Sequence, residues 1–354
     1  MLTARPLLLL AGCGALATAT PALSAALPAE TAPAAAATTQ PQALALLGTA
    51  TRTSRSRSWS GIQQVTSWRA GTVRTAVLNV LHDPVTGSVV TDRADGAAVR
   101  VPADVLDEGL VRLLADRYRL SVAGVQGCGG RAALLVEARR PGAGGAAGLA
   151  GRFWVDQRTG MVLRRDLLDA TGRVVSRSTL THLQVDSPST FAPVSATVPT
   201  GAAHPVVPLA PSGRRVTASE LAALAPGAPP ELPGGLQLFD ARRHDDRVLQ
   251  LSYSDGLSTL SLFVQPGALP GAVTALPIER RGGADVRAMP GPSDRLAWAS
   301  DGRTWSLVSD APIGVVDAAV AVLPHAPVGR RGDALAARAW RGMSRIGGWL
   351  NPFD

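Results

Sequence analysis

The sequence predicts an α+β protein, a curved antiparallel half-barrel sheet wrapped on a helix and then a smaller α/β domain. Three observations carry this. Short β-favouring runs follow one another from residue 58 to 185, joined by glycine-containing turns, with one stretch of helical period among them. A proline-rich segment then breaks the pattern, and a second, shorter set of strands and helices follows it. The 354 residues include 37 Gly and 27 Pro, with only 18 % charged. That length suits two domains at roughly 100–200 residues each, and the composition suits a turn-rich β protein better than a helical bundle.

In chain order, Ser58–Trp68 and Thr72–His82 read as strands split by Ala70-Gly71. Ser88–Arg93 and Ala97–Val101 flank Asp95-Gly96, which suits the positive-φ positions of a two-residue hairpin. The period then changes: Val105, Leu106, Leu110, Leu113 and Leu114 share one helical face, and the spacing predicts a helix over Ala103–Arg117. Strands resume at Arg119–Val125, Arg131–Arg139, Arg152–Asp156, Met161–Asp169 and Arg173–Val185, with a glycine-rich loop over 141–151. One helix covers the concave apolar face of so long a sheet only in part, which leaves a groove. Trp59, Ile62, Trp68, Leu78, Leu110, Leu114 and Trp154 are the candidates to line it, against ordinary core packing for each. Arg164 and Arg165 read either as contacts for an anionic headgroup or acidic segment, or as a solvated strand end.

Residues 187–213 carry six prolines from Pro188 to Pro211, and proline cannot donate to a central ladder. This linker separates a domain at 44–186 from one at 214–326. The second opens with Thr217-Ala218-Ser219-Glu220, a capping box. Strands follow at Leu236–Arg243, Val248–Ser254 and Thr259–Gln265, the last two joined by the Asp255-Gly256 turn. Arg295–Ser300 and Arg303–Ser309 form a hairpin around Asp301-Gly302, and Ile313, Val316, Ala319, Val320 and Leu323 mark a buried helix face. In the tail, 327–354, Leu335, Ala339, Met343, Ile346 and Leu350 share a stripe, with Arg338, Arg341 and Arg345 largely on the other side. Such a basic amphipathic helix either makes membrane-surface or partner contact or folds back on its own domain.

Residues 1–26 have the layout of a secretory signal, with Arg5, a short apolar run and small residues at Ser24–Ala26. The run is below the ~20 residues a bilayer span needs. The expected location is therefore extracytoplasmic or periplasmic. Leu10-Ala11-Gly12-Cys13 also matches a lipobox, so Cys13 is a candidate for lipidation, with cleavage near Ala26 the alternative. Residues 27–43, rich in Ala, Thr and Pro, read as a flexible tether. Cys128 then stands alone in a glycine loop and reads as inert.

Net charge is +8, and all 35 basic residues are Arg. They are spread among acidic residues rather than gathered in a block, which argues against nucleic acid as partner. There is no His-Glu-x-x-His, paired Cys-x-x-Cys, phosphate loop, Gly-x-Ser-x-Gly or dinucleotide fingerprint. No enzyme activity, metal or cofactor is expected.

Several segments together resemble the MucB/RseB family. Tyr253-Ser254-Asp255-Gly256-Leu257, followed by an alternating strand to Pro266, is similar to the family's Tyr-Ser-Asp-Gly-Leu hairpin. Gly130-Arg131, Arg152-Phe153-Trp154-Val155-Asp156 and Thr159-Gly160-Met161-Val162-Leu163-Arg164 resemble its Gly-Arg strand and following hairpin, and Trp59-Ser60-Gly61 fits its first strand. The resemblance implies a lipoprotein-carrier-like (LolA-like) half-barrel and a smaller second domain. It implies a regulator of envelope-stress sigma factors that binds the extracytoplasmic part of a membrane-anchored anti-sigma factor and senses a lipid or peptide in its groove. Tyr253 to Leu257 are then the candidate partner-binding hairpin. The alternative is a LolA-like lipid-binding or lipid-carrier protein. The glycine/alanine-rich 141–151 segment and the basic tail depart from the family's pattern.

Overall fold

The computed structural model describes residues 40–325, apart from 70, 94–97, 102–107, 146–147, 187–206, 209–212, 226, 245–247 and 290. The signal segment with Cys13, most of the linker, the Asp95-Gly96 turn and the basic tail lie outside the described residues.

The chain enters through helix α1 (Gln40–Ser56), which corrects the expected tether: residues 40–43 open the helix. Ala43, Leu47 and Ala50 recur at i, i+4 and i+7 and are buried together. Pro41 sits in the first turn, where its missing N–H costs nothing. Thr51 and Ser54 bury their hydroxyls by donating to backbone carbonyls one turn back.

Strands β1 (Trp59–Arg69), β2 (Thr72–Asp83), β3 (Gly87–Asp92) and β4 (Ala98–Val101) follow, then helix α2 (Glu108–Arg117). Next come β5 (Arg119–Cys128), β6 (Arg131–Arg139), β7 (Leu149–Asp156), β8 (Val162–Leu168), β9 (Val174–Val185) and the two-residue β10 (Val207–Pro208). Their order, β10-β4-β3-β2-β1-β9-β8-β7-β6-β5, leaves an open sheet with β5 and β10 at the edges. Helix α2 is described from Glu108 onward, and the expected start at Ala103 lies outside the described residues. The expected linker also contributes β10, parallel to β4, and Pro208 is tolerated there because it stands on a sheet edge.

Register fixes the two faces. Phe153, Arg165, Ser178 and Val65 form one row across β7, β8, β9 and β1. Trp154, Arg164, Thr179 and Gln64 form the next row, on the opposite face. Helix α1 packs on the first of these faces: Ala43, Leu47 and Ala50 meet Leu120, Val136, Phe153, Val155 and Leu167.

The second sheet contains β11 (Arg214–Arg215), β12 (Glu231–Leu232), β13 (Leu236–His244), β14 (Val248–Ser254) and β15 (Thr259–Pro266). It continues with β16 (Ile278–Arg281), β17 (Ala284–Met289), β18 (Asp294–Ser300) and β19 (Arg303–Ser309). The main path is β11-β13-β14-β15-β19-β18-β17-β16, antiparallel throughout. Helices α3 (Ala218–Leu224), α4 (Gly271–Thr274) and α5 (Ile313–Val322) accompany it. The capping box forms as predicted, Glu220 N–H donating to Thr217 Oγ1 at 3.3 Å and Thr217 N–H to Glu220 Oε2 at 2.9 Å. Val316, Ala319 and Val320 of α5 pack on Leu251, Leu262, Leu296 and Leu307.

Candidate functional site: a hairpin of the second sheet seated in the first

The loop between β14 and β15 is built to project. Ser254 Oγ donates to the Ser258 carbonyl at 2.7 Å and accepts the Gly256 N–H at 2.9 Å. Asp255 Oδ1 accepts the N–H groups of Leu257 and Ser258 at 2.9 and 2.6 Å, the local bonding that favours Asp in turns. Gly256 has φ +88°, and a Cβ there would fall 2.3–2.4 Å from the backbone of Leu114 in α2. Only glycine lets the loop approach the helix this closely.

What the loop delivers is Leu257. Its side chain is 2 % exposed and belongs to the apolar cluster of the first sheet, with Leu47, Leu114, Val136, Phe153 and Leu167. A Cβ on Gly151 of β7 would lie 2.7 Å from Leu257 Cδ2, so a second glycine makes the seat. Polar contacts hold the rim. Tyr118 Oη donates to Asp255 Oδ2 at 2.6 Å. Arg165 donates to the Leu257 carbonyl and, at 3.1 Å, to Asp310 Oδ2, while Asp310 Oδ1 accepts the Thr259 N–H at 2.8 Å. Farther out, Arg69 pairs with Asp294, and Arg117 with Glu231 at 3.0 Å. Beside the loop lies a cleft of about 300 Å³ lined by Arg117, Tyr118, Arg140, Gly234, Gly235 and Asp255.

Burial pushes the Asp255 carboxyl above its ordinary range, and the nearby Asp310 charge adds to this; Tyr118 and the two backbone N–H groups oppose it. Burial, then the Asp255 charge, push the Tyr118 phenol up as well. The pair therefore joins the two sheets as donor and acceptor, and the phenol stays protonated. Among the described residues no group of three or more His, Cys, Asp or Glu is placed to hold a metal.

The expected site residues divide. Trp59 and Leu78 are 2 % exposed, share a buried cluster, and lie by register on the face that α1 covers. Leu110 and Leu114 of α2 are buried, Leu114 against the hairpin. Ile62 and Trp68 fall by register on the opposite face, as does Trp154 at the β7–β8 bulge, although Trp154 joins the same buried cluster as Trp59 and Leu78. The seven thus do not line one groove, because a strand alternates its side chains between faces. Tyr253 to Leu257, expected to meet a partner, are buried inside the chain instead: Tyr253 donates to the Pro229 carbonyl at 2.9 Å, and the loop meets α2.

Neither Arg164 nor Arg165 is a solvated strand end. Arg164 pairs with the buried Asp166, which also accepts from Arg177 at 2.8 Å, and stacks 4.2 Å over the Trp154 ring. Arg165 turns the other way, into the hairpin's seat. Two consecutive arginines in one strand must face opposite sides, and that signal marks one of them as buried. Cys128 ends β5 rather than lying in a loop; burial raises its thiol above the usual range.

Residues 83–201 match the MucB/RseB N-terminal domain. No curated protein matches the chain. Among solved structures, one of MucB is 23 % identical over 79 % of this chain and 97 % of its own, with a TM-score of 0.43. The Pseudomonas aeruginosa MucA/MucB complex is 22 % identical over 81 % and 100 %, with a TM-score of 0.40. A LolA superfamily protein from Nitrosomonas europaea is 10 % identical over 40 % and 92 %, with a TM-score of 0.20. The open antiparallel sheet with helices on one face and a second sheet seated against it defines a half-barrel protein with an appended domain. The family match covers residues 83–201, about a third of the chain.

Proposed function

We propose that this chain is a non-catalytic extracytoplasmic regulator of envelope-stress sigma-factor signalling. It binds the extracytoplasmic part of a membrane-anchored anti-sigma factor and releases it when a lipid or peptide ligand occupies the first sheet's helix-covered face. The observation that carries this reading is the MucB/RseB domain match over 83–201. Lipidation at Cys13 or contact through the basic tail would keep the chain at the membrane surface. Palmitate labelling of wild type but not of Cys13→Ala is the expected result if the lipobox is used.

The competing reading is a LolA-like lipid carrier, favoured by the aliphatic seat now filled by Leu257. A carrier needs only the first sheet, whereas here the second sheet supplies part of the first sheet's core. Affinity capture of the full chain from membranes, identifying both proteins and extracted lipids, separates the two. Recovery of a membrane-anchored protein with an extracytoplasmic segment supports the regulator. Recovery of lipid alone establishes the carrier.

A further inference from the structure

We propose that the 254–258 hairpin is an internal ligand of the first sheet, a plug displaced by an amphipathic anion with an aliphatic chain. The inference rests on the ligand-sensing reading and specifies its site and its competitor.

Three observations on the seat support this. First, among the described residues the only part of the second sheet that enters the apolar cluster under α1 and α2 is one aliphatic side chain, Leu257. A straight or branched alkyl chain offers the same surface to Leu114, Phe153 and Leu167. Second, the group held at the mouth of the seat is an oxygen pair on a guanidinium: Arg165 binds the Leu257 carbonyl and the Asp310 carboxylate. A fatty carboxylate reproduces the alkyl side chain that Leu257 places in the seat and, in its oxygen pair, the two oxygens that Arg165 holds, one from the plug's Leu257 carbonyl and one from the neighbouring Asp310. Third, the plug carries an unfavourable element of its own. Asp255 is buried, Asp310 lies near it, and docking raises its carboxyl. Water would relieve that burial once the loop swings out.

Because ligand and plug use one seat, each weakens the other by the same factor. Occupancy of the first sheet is thereby converted into release of the second, with no contact between ligand and partner. The seat is made by residues far apart in sequence, Leu114, Gly151 and Arg165, and Gly256 of the plug serves the same close approach.

The test uses the full chain and cis-parinaric acid, a fluorescent fatty acid. Leu257→Ala, which vacates the seat, should bind it on the order of tenfold more tightly than wild type. Tyr118→Phe, which leaves the seat intact and loosens the rim, should bind it several-fold more tightly. In wild type, saturating acid should speed hydrogen exchange at the amides of Leu257, Ser258 and Thr259 and leave the Ser300–Arg303 turn unchanged. Acid bound with these three amides still protected overturns the plug and leaves ligand sensing standing at another place. Equal affinity of both variants and wild type overturns it as well. Absence of binding to all three proteins removes plug and ligand reading together, while the capture experiment still decides the partner.

Discussion

Two turns of the second sheet contain the same dipeptide and do opposite things. Asp301-Gly302 joins β18 to β19 as a two-residue turn with both φ values positive, +50° and +71°, and both residues face solvent. Asp255-Gly256 opens a four-residue loop that is buried throughout and seated against another sheet. In the first turn glycine satisfies only its own backbone, and nothing lies within 4 Å of where a Cβ would be. In the second it also makes room for a neighbouring helix. The residue that follows differs: Leu257 takes its loop inside, whereas Arg303 already belongs to β19 and leaves Asp301-Gly302 exposed.

The sharpest way to break this comparison is to make the same change in both turns. Gly256→Ala should cost roughly 4 kcal/mol, combining ~1–2 for the left-handed backbone with ~1–3 for overpacking against Leu114. Gly302→Ala should cost only the backbone part, about 1–2 kcal/mol. Denaturant unfolding of the two variants measures the gap, and equal losses would show that the hairpin is not seated in the first sheet.

Charge pairs give a second contrast. Arg165 is 5 % exposed and faces Asp310, whereas Arg280 and Asp285 are 71 % and 65 % exposed. Arg165→Met keeps length and removes the charge from a buried pair, with an expected loss of about 3 kcal/mol. Arg280→Met should change stability by less than about 0.5 kcal/mol. Leu257→Ala should fall between Arg165→Met and the surface variant, at about 2–3 kcal/mol, the low end for a core leucine because the loop can settle into the space. If Leu257→Ala unfolds like wild type, the seat contributes nothing to stability.

These contrasts show where the sequence was readable. Alternation and turn chemistry located β1, β2, β6 and the β14–β15 hairpin almost to the residue, because those signals are local. The Thr217 capping box was readable for the same reason. Helix α1 escaped because its Ala/Leu face sits beside an Ala/Thr/Pro-rich run of similar composition, and its burial depends on β5 to β8, far along the chain. The β16–β17 hairpin escaped too, since Ile278–Arg281 is short, charged and an edge. The family-like motif at 253–257 was legible as a motif, but not its direction. Whether a loop faces a partner or its own chain depends on Leu114 and Gly151, which no spacing connects to it. The groove residues failed as a set for a simpler reason, because Ile62 and Trp68 differ in strand parity from Trp59 and Leu78's partner Gln63.

The smallest effect expected at the junction is the most specific. Tyr118→Phe removes the hydroxyl that donates to Asp255 and leaves its volume in place, for a loss of about 1–2 kcal/mol at neutral pH. Asp255 has a folded value above the ordinary 3.8, so the folded state binds its proton more tightly than the unfolded chain does. Its contribution to stability is therefore most favourable below 3.8 and declines as pH rises through the raised value. The phenol limits that decline, because a donor stabilises the ionised carboxylate more than the neutral acid. The difference between variant and wild type should accordingly be small in acid and grow as pH rises through the Asp255 titration. Other carboxylates, such as Asp166, whose value is lowered by Arg164 and Arg177 against its burial, weaken both proteins equally in acid and cancel in the difference. A difference that is constant with pH would mean that Tyr118 acts on the junction by packing alone.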